Sequence, residues 1–449
     1  MATKPFSCRH FPIASVSQTL SQASTEANDK AGCAPLRLDF KTPMWHTWAR
    51  RVPPGMTSSR RVLFLSPQPF FEWRGSPIRV GFDVRALAEL GYEVDLLTMP
   101  VGMPHTIPGV RVLRVPNALR VRSLPIGPSP AKAALDVVML LQAWRMAGHR
   151  RYAVIHGVEE AGAIALAVAR RCGARVIFEK HSDPGSHRKG ALRNLVLKAY
   201  ARVEALTVRR ADAVICTGEG LAAQVRASCA RARVFHVPDI PSSLAEAAPD
   251  KVKAARARLC RRPGERLAMY VGSFAVYQGI DLLFEAIPRA VAQCPGVRFV
   301  IIGGTPEQVA GRRGQMAAAG CAEAVTFHDP VPPDELPSVL AAADLLLSPR
   351  LTGVNTPLKL LDYLKAGAAI VATDTPANRL ILDERTACLT APDPTAFAAG
   401  IVRLAADEPA RRDLAEWGRR LQRETFSYDV FKQGLRTCYE AVLERGRGG

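Results

Sequence analysis

Side chains able to handle a phosphorylated ligand concentrate between Leu347 and Gly367, where the chain reads Leu-Ser-Pro-Arg-Leu-Thr-Gly-Val-Asn-Thr-Pro-Leu-Lys-Leu-Leu-Asp-Tyr-Leu-Lys-Ala-Gly. The pattern predicts a strand ending near Ser348 and a loop carrying Arg350, Gly353 and Asn355. A helix should follow, with Thr356 as its N-cap, Pro357 at its first position and Leu358 next. Lys359 and Asp362 are three apart and share one face of it. Free backbone N–H groups at the helix start, with Arg350 and Lys359, suit a diphosphate. Asp362, one turn further in, suits the diol of a ribose. The same pattern also reads as a capped helix with one i,i+3 ion pair on a solvated face.

Two glycine-bearing turns accompany this stretch. Gly272 and Ser273 follow the strand-like Tyr270-Val271, and Gln278-Gly279 precede the helical Ile280-Asp-Leu-Leu. Ile301-Ile-Gly-Gly-Thr repeats the arrangement. Glycine there admits a diphosphate close to the backbone, and it is equally ordinary turn chemistry.

Such loops need strands behind them. Short apolar runs at 62–65, 94–97, 110–115, 154–156, 175–178 and 213–216 alternate with helical spacing, as at 77–90, where Gly91 supplies the stop. This repetition predicts α/β architecture with a parallel sheet and helices on both faces, its ligands beyond the carboxyl ends of the strands. The loops at those ends are 67–76, 157–160, 179–184 and 217–220. Around 237–249 the composition turns to Pro, Ser and Ala, which marks a linker. A second series of strands follows at 267–271, 297–302, 324–327, 345–347 and 369–372. Two Rossmann-like, doubly wound domains facing across a cleft are the expected fold. The boundaries are 59–240 and 253–422, joined by a linker at 241–252.

Bulk properties narrow the classes. At 449 residues the chain is long enough for two cores, and 48% hydrophobic with 22% charged residues is an ordinary globular composition. The run 135–144 is the longest membrane-span candidate of the first half; it is short and interrupted by Asp136 and Gln142. The net charge of +19 suits an anionic substrate, an anionic membrane surface or nucleic acid, and also a merely Arg-rich composition. With 6% aromatics the basic runs offer no stacking platform, so nucleic acid is not expected as a partner. The 10 cysteines are scattered without CxxC or zinc spacing, as in a reducing, cytoplasmic compartment. Residues 1–58 read as a disordered basic tail or, given Met56-Thr-Ser-Ser-Arg-Arg, as a mis-assigned start.

The ordered set Tyr270-Val-Gly, Gln278-Gly-Ile-Asp-Leu-Leu, Ile301-Ile-Gly-Gly, Ser348-Pro-Arg, Asn355-Thr-Pro-Leu-Lys, Asp362-Tyr-Leu, Gly367 and Ile370-Val-Ala-Thr resembles the bacterial retaining glycosyltransferases of GT-B fold. Residues 389–397 look like that family's loop after its last core strand. Phe426-Ser-Tyr and the helix to Leu443 look like its terminal segment, so 423–449 should pack back on the first domain. The resemblance spans about 61–445. It implies transfer of a sugar from a nucleotide-sugar donor to a hydroxyl of a glycan or lipid-linked acceptor, in cell-surface polysaccharide or glycolipid synthesis. It implies no cofactor, and the absence of an acidic DxD triplet implies no metal.

Carried over residue by residue, the resemblance also shows departures. The family's Glu, seven residues and second Glu fall at Val354 and Asp362, and Val354 has no polar group to offer. Its Arg and Lys after the Val-Gly strand fall near Ser273 and Gln278, where both charges are missing. Arg350 and Lys359 are then the cations left in the motif to hold the diphosphate. His181, in Phe178-Glu-Lys-His-Ser-Asp, stands where the family places a His beside the reacting sugar. Glu159 and Glu160 are candidates for acceptor hydroxyls, and Gly75 and Ser76 for close approach to phosphate or acceptor. Basic residues at 145, 150, 151, 188, 189, 193, 198, 202, 209 and 210, with Leu192, Leu195, Val196 and Leu197 among them, suggest a peripheral position on the inner face of the cell membrane. They are equally a solvated helix face. Two other readings stay open, a nucleotide-sugar 2-epimerase and a non-catalytic binding scaffold of the same fold. A hydride-transfer enzyme does not fit, because the first strand leads into Ser66-Pro-Gln-Pro without a G-x-G-x-x-G turn.

Overall fold

The computed structural model describes residues 60–72, 75–124, 129–182, 191–353 and 356–444, with the side chains of 191–196 left out. The chain divides into a unit of 1–56 and a unit of 57–449, and every described residue belongs to the second. The tail reading of 1–58, Val354 and Asn355 therefore lie outside the described residues.

The first half runs β1 (Arg61–Ser66), α1 (Gly75–Glu89), β2 (Glu93–Thr98), β3 (Val110–Arg114), α2 (Pro130–His149), β4 (Val154–Val158), α3 (Ala161–Cys172), β5 (Arg175–Lys180), α4 (Ala191–Arg210), β6 (Ala213–Cys216), α5 (Glu219–Ser228) and β7 (Val234–His236). Its strands form one parallel sheet in the order β3-β2-β1-β4-β5-β6-β7. The order reverses between β1 and β4, and a doubly wound sheet opens its binding crevice at that point. Apolar side chains on both faces bury the sheet. One layer brings Phe64, Val84 and Ile215 together, and the other packs Leu65, Ile155 and Met139.

The second half runs α6 (Pro249–Leu259), β8 (Arg266–Val271), α7 (Ile280–Gln293), β9 (Val297–Ile302), α8 (Pro306–Ala318), β10 (Val325–His328), α9 (Leu336–Ala341), β11 (Leu345–Ser348), α10 (Leu358–Ala366), β12 (Ala369–Thr373), β13 (Cys388–Thr390), α11 (Pro394–Ala406), α12 (Glu408–Thr425) and α13 (Tyr428–Glu444). Its parallel sheet has the order β10-β9-β8-β11-β12-β13 and reverses between β8 and β11. Helix α12 packs against α10 and β12, whereas α13 crosses to α1 and to β6 and β7. Phe431, Leu435 and Tyr439 of α13 complete the core of the first sheet. The expected two-domain α/β fold with a returning C-terminal helix is what the chain adopts.

Local differences have local causes. Strands β7 and β13 were not expected; each has three residues at a sheet edge, too few to show a period. Helix α6 starts at Pro249, inside the stretch read as linker, because Ala248 is extended and Pro249 opens the first turn. Among the described residues no helix is long and apolar enough to cross a membrane.

Candidate functional site

A cavity of about 320 Å³ opens between the strand ends of the two sheets. Gly75, Ser76, His181 and Thr217 line it from the first half, and Thr356 and Leu358 from the second. The two sides come close. A Cβ placed on Gly218 would stand 3.4 Å from Thr356 Oγ1, and one on Gly75 would stand 3.4 Å from Leu358 Cδ1.

His181 is held from two directions. Its backbone N–H donates to Glu159 Oε1 at 2.9 Å, and the Ser182 hydroxyl donates to the same oxygen at 3.0 Å. Its ring Nε2 lies 3.0 Å from Glu179 Oε1. Glu159 sits at φ +50, a conformation few side chains adopt, and this turn aims its carboxylate back at the His181 loop. Burial pushes the Glu159 carboxyl above its usual range, although the neighbouring His181 opposes the shift. Glu160 turns elsewhere, to the Tyr200 hydroxyl at 3.2 Å and to Lys132. Glu159 and Glu160 line a separate pocket beside Tyr200 and do not line the cleft cavity. The expectation that this pair meets an acceptor has no support from where they stand.

Glu179 is the centre of a buried cluster. Arg79 Nε of α1 donates to its Oε1 at 2.5 Å, and His156 Nε2 of β4 lies 2.8 Å from its Oε2. Arg79 also pairs with Asp239 at 3.0 Å and stands 3.9 Å from Asp83. His156 Nδ1 meets the Tyr439 hydroxyl at 2.9 Å, which ties α13 into the cluster. Burial alone would raise the Glu179 carboxyl, but the Arg79 charge and the two histidines hold it well below the usual range. Burial, with Glu179 beside it, drives Asp83 the other way, well above that range. Two close carboxylates at one cation thus titrate apart. None of Arg79, Asp83, His156, Glu179 and Asp239 was among the sequence candidates. The available signal was Glu179, an acid at the end of an otherwise apolar strand.

The second-domain candidates form their own cluster at the ends of β8 and β11. Gly272 leaves β8 at φ +150, and Tyr270 Oη donates to Ser273 O at 2.8 Å. Lys359 Nζ lies 4.4 Å from the centroid of the Tyr270 ring and, among the described residues, has no hydrogen-bond partner. A Cβ on Gly272 would be 3.7 Å from that nitrogen. Burial, and after it the Arg350 charge, push the Lys359 ammonium down to about 7. Arg350 is itself buried; its Nε donates to Thr352 O at 2.9 Å and its guanidinium lies 5.5 Å over the Tyr277 ring. Thr373 and Thr375 hydroxyls donate to the Arg350 carbonyl. Gln278 Oε1 is buried without a hydrogen-bond partner among the described residues. Gly279 has φ +69, and a Cβ there would fall 1.8 Å from Pro349 O, so only glycine lets the two loops meet.

Two expectations for α10 change. Pro357, at φ −78 and ψ 89, is the cap residue, and the helix begins at Leu358 with no side-chain cap from Thr356. A residue before proline is driven out of the helical region, which leaves Thr356 in the loop facing the cleft. The i,i+3 ion pair also does not form. Lys359 turns towards β8, whereas Asp362 turns to the linker, where its Oδ1 accepts from Ser242 N at 2.6 Å and Ser242 Oγ at 3.0 Å. Asp362 is absent from the cleft lining, and burial pushes its carboxyl up to about 6 against the pull of the Ser242 bonds.

Comparison with known proteins gives these halves a family. Residues 75–239 match the glycosyl transferase 4-like domain, and 265–407 match glycosyl transferases group 1. A phosphatidyl-myo-inositol mannosyltransferase of Mycobacterium tuberculosis (strain ATCC 25618 / H37Rv) is 26% identical over 202 residues, 43% of this chain and 52% of the relative. The chain thus spans about half the length of such mannosyltransferase relatives. A D-inositol 3-phosphate glycosyltransferase of Arthrobacter sp. (strain FB24) is 26% identical over 385 residues, 80% of this chain and 89% of the relative. Among solved structures, the sucrose-phosphate synthase from Thermosynechococcus elongatus superposes with a TM-score of 0.69 at 22% identity, covering 86% of this chain and 100% of that one. That likeness is one of fold.

Proposed function

We propose that this chain, which belongs to the group 1 glycosyltransferases, moves a glycosyl unit from a nucleotide-sugar donor to a hydroxyl of a glycan or lipid-linked acceptor, with retention at the anomeric carbon. The observation that carries the donor assignment is Lys359, a buried ammonium without a hydrogen-bond partner among the described residues, beside Gly272 just after β8. A buried cation left this way is costly, and a diphosphate laid along the Gly272 backbone relieves it. Arg350 adds a second charge. Gln278, through its amide N–H groups, and Ser273, through its N–H and hydroxyl, supply polar donors where the family's charges are missing.

The glycosyl group then extends into the cavity towards His181, which the Glu159 and Glu179 contacts hold in place. His181 serves to position and stabilise the reacting sugar. The carboxylates lining the cavity, Glu219 and Asp239, are already ion-paired, Glu219 with Arg226 at 2.6 Å and Asp239 with Arg79 at 3.0 Å. A scheme with retention therefore needs no covalent intermediate on either of them. Approach of the two sheets excludes water that would otherwise hydrolyse the donor. The product belongs to cell-surface polysaccharide or glycolipid synthesis, with the chain at the cytoplasmic face of the membrane. No metal or cofactor takes part in this scheme.

The test is turnover of a panel of nucleotide sugars with a membrane-lipid extract as acceptor. A labelled glycolipid formed with release of nucleoside diphosphate supports the proposal. Donor binding without turnover for any acceptor supports the non-catalytic reading, and epimerised donor without acceptor supports the epimerase.

A further inference from the structure

The donor scheme uses only part of the cleft cavity. Lys359, Arg350, Gly272 and Gln278 do not line it, so a diphosphate held by them leaves most of its wall free. That wall includes Thr217, Gly218, Glu219 and Gly220, where β6 leads into α5, and His236 at the end of β7. The cap residue Gly218, extended at φ −141 and ψ 149, has no side chain to offer, and the first turn of α5 has no side-chain cap. Uncapped N–H groups at the start of a helix carry partial positive charge and favour an anion.

Arg79 gives an independent sign of a ligand in the same wall. Its Nε and Nη1 donate to Glu179 and Asp239, while Nη2 has no hydrogen-bond partner among the described residues, in a side chain only 4% exposed. A buried donor left open is costly, and an anionic oxygen would satisfy it. The carboxylates nearby are taken: Glu219 pairs with Arg226 at 2.6 Å and lies 3.4 Å from His236, and Asp239 pairs with Arg79. Apolar side chains complete the lining, Leu221 from the first half and Leu358, Leu380, Ile381 and Phe426 from the second. Leu380 is 47% exposed, an open leucine in a cleft that also suits an anion. Leu197, counted from the sequence as part of a lipid-facing segment, is instead buried, and Leu192, Leu195 and Val196 lie outside the described side chains.

We infer that this part of the cavity binds the phosphate of an amphiphilic acceptor. The phosphate sits at the first turn of α5 and takes the open Arg79 donor, and the apolar group joined to it packs against Leu380, Ile381 and Phe426. A neutral glycan would leave the α5 N–H groups and Arg79 Nη2 without an anion, and free phosphate would leave the leucine uncovered. At about 320 Å³ the cavity holds the phosphate and the groups next to it; a longer chain leaves past the exposed Leu380. His181 lines the same cavity, so an acceptor anchored here brings its hydroxyl to the place where the donor sugar arrives. The inference narrows the acceptor to a phosphorylated amphiphile, and it rests on the transferase reading only for the ligand's part as acceptor.

The test is calorimetric titration of the full chain with octyl phosphate, octanol and inorganic phosphate, without donor and without turnover. The parent should bind octyl phosphate more tightly than either of the other two. Gly220→Asp is the decisive variant. A Cβ there meets nothing within 4 Å, and an acid in the first turn favours the helix, so the melting temperature should hold or rise. Octyl phosphate affinity should nevertheless fall by about tenfold. Leu380→Asp should lose octyl phosphate by a similar factor and keep inorganic phosphate, with Leu380→Ser standing in should the acid fail to fold. A Gly296→Asp control, in an exposed turn of the second domain, should bind as the parent. No octyl phosphate binding by the parent, parent-like binding by folded Gly220→Asp or Leu380→Asp, or inorganic phosphate bound as tightly as octyl phosphate overturns the inference. So does an equal loss of nucleoside diphosphate affinity in Gly220→Asp, since the helix would then serve the donor. Failed turnover with intact octyl phosphate binding would count against the transferase reading alone.

Discussion

Asp362 Oδ1 accepts two hydrogen bonds from Ser242, one from its N–H and one from its hydroxyl. One turn on, Lys365 Nζ donates to Ser243 O at 3.1 Å and Ala245 O at 2.7 Å. Helix α10 therefore grips the linker just where it enters the second domain. On the other side, Asp239 is held by Arg79 of the first domain. Between the two grips lie Ile240 and Pro241, both buried, with Ile240 in the core of the first sheet. Asp362 Oδ1 is thus engaged by the linker and not by the cleft.

Replacing Asp362 with Ala should leave Ser242 without its acceptor and cost roughly 1–3 kcal/mol. Amide exchange across 240–246 should accelerate while the sheets stay protected, and Asp362→Asn should fall between. Unchanged exchange at Ser242 would remove the clamp from the account.

If Lys359 holds the donor as proposed, donor binding should depend on pH. Burial and the Arg350 charge push its ammonium down to about 7, against an ordinary value of ~10.4. Between those values the unfolded chain binds more protons here than the folded chain, so this group's contribution to stability rises with pH across that window. A bound diphosphate restores a counter-charge and raises the folded value. Binding at pH 8 should thus take up a proton, seen as a calorimetric heat that varies with buffer ionisation enthalpy, and binding at pH 6 should not. Lys359→Met should abolish the difference; buffer-independent heat at pH 8 in the parent would refute the assignment.

Gly279→Ala should disable the donor loop. The substitution forces a Cβ into Pro349 O at a positive φ, and strain of that kind exceeds about 1 kcal/mol before the clash is counted. A lowered melting temperature with weakened nucleotide binding is expected. Gly311→Ala, where a Cβ meets nothing within 4 Å, serves as the tolerant control.

The buried carboxylates of the first domain should respond oppositely. Glu179→Gln leaves Arg79 short of its closest partner, and breaking a buried pair costs on the order of 3–5 kcal/mol. Because the Glu179 value is depressed, its contribution is present above the unfolded value of ~4.3 and is lost as pH falls through the folded one. Asp83, whose carboxyl burial and Glu179 drive well above its usual range, should tolerate Asn with little loss of stability. Thermal melts of the two variants at pH 7 decide the matter, and equal losses would contradict the titration scheme.

The alternation of strands and helices was legible because most core strands are continuous apolar runs, whereas β7 and β13 are too short to signal themselves. The Lys359 and Arg350 cluster was legible because its loops carry glycines at strand ends. His181 was legible by its place after β5. Its support was not, since Arg79 and Glu179 are 100 positions apart and Arg79 and Asp239 are 160 apart. The Asp362 partner was hidden the same way, 120 positions upstream at Ser242. Periodicity reports which face of an element is buried, and it carries nothing about which distant polar groups meet there.

The central claim is that Lys359 and Arg350 hold the donor diphosphate. Its most direct measurement is the affinity of the nucleoside diphosphate that most stabilises the chain in a thermal-shift panel, for the parent, Lys359→Ala and Arg350→Ala. The account predicts a loss of roughly 100-fold in each variant, about 2.7 kcal/mol. Parent-like affinity in both variants would contradict it.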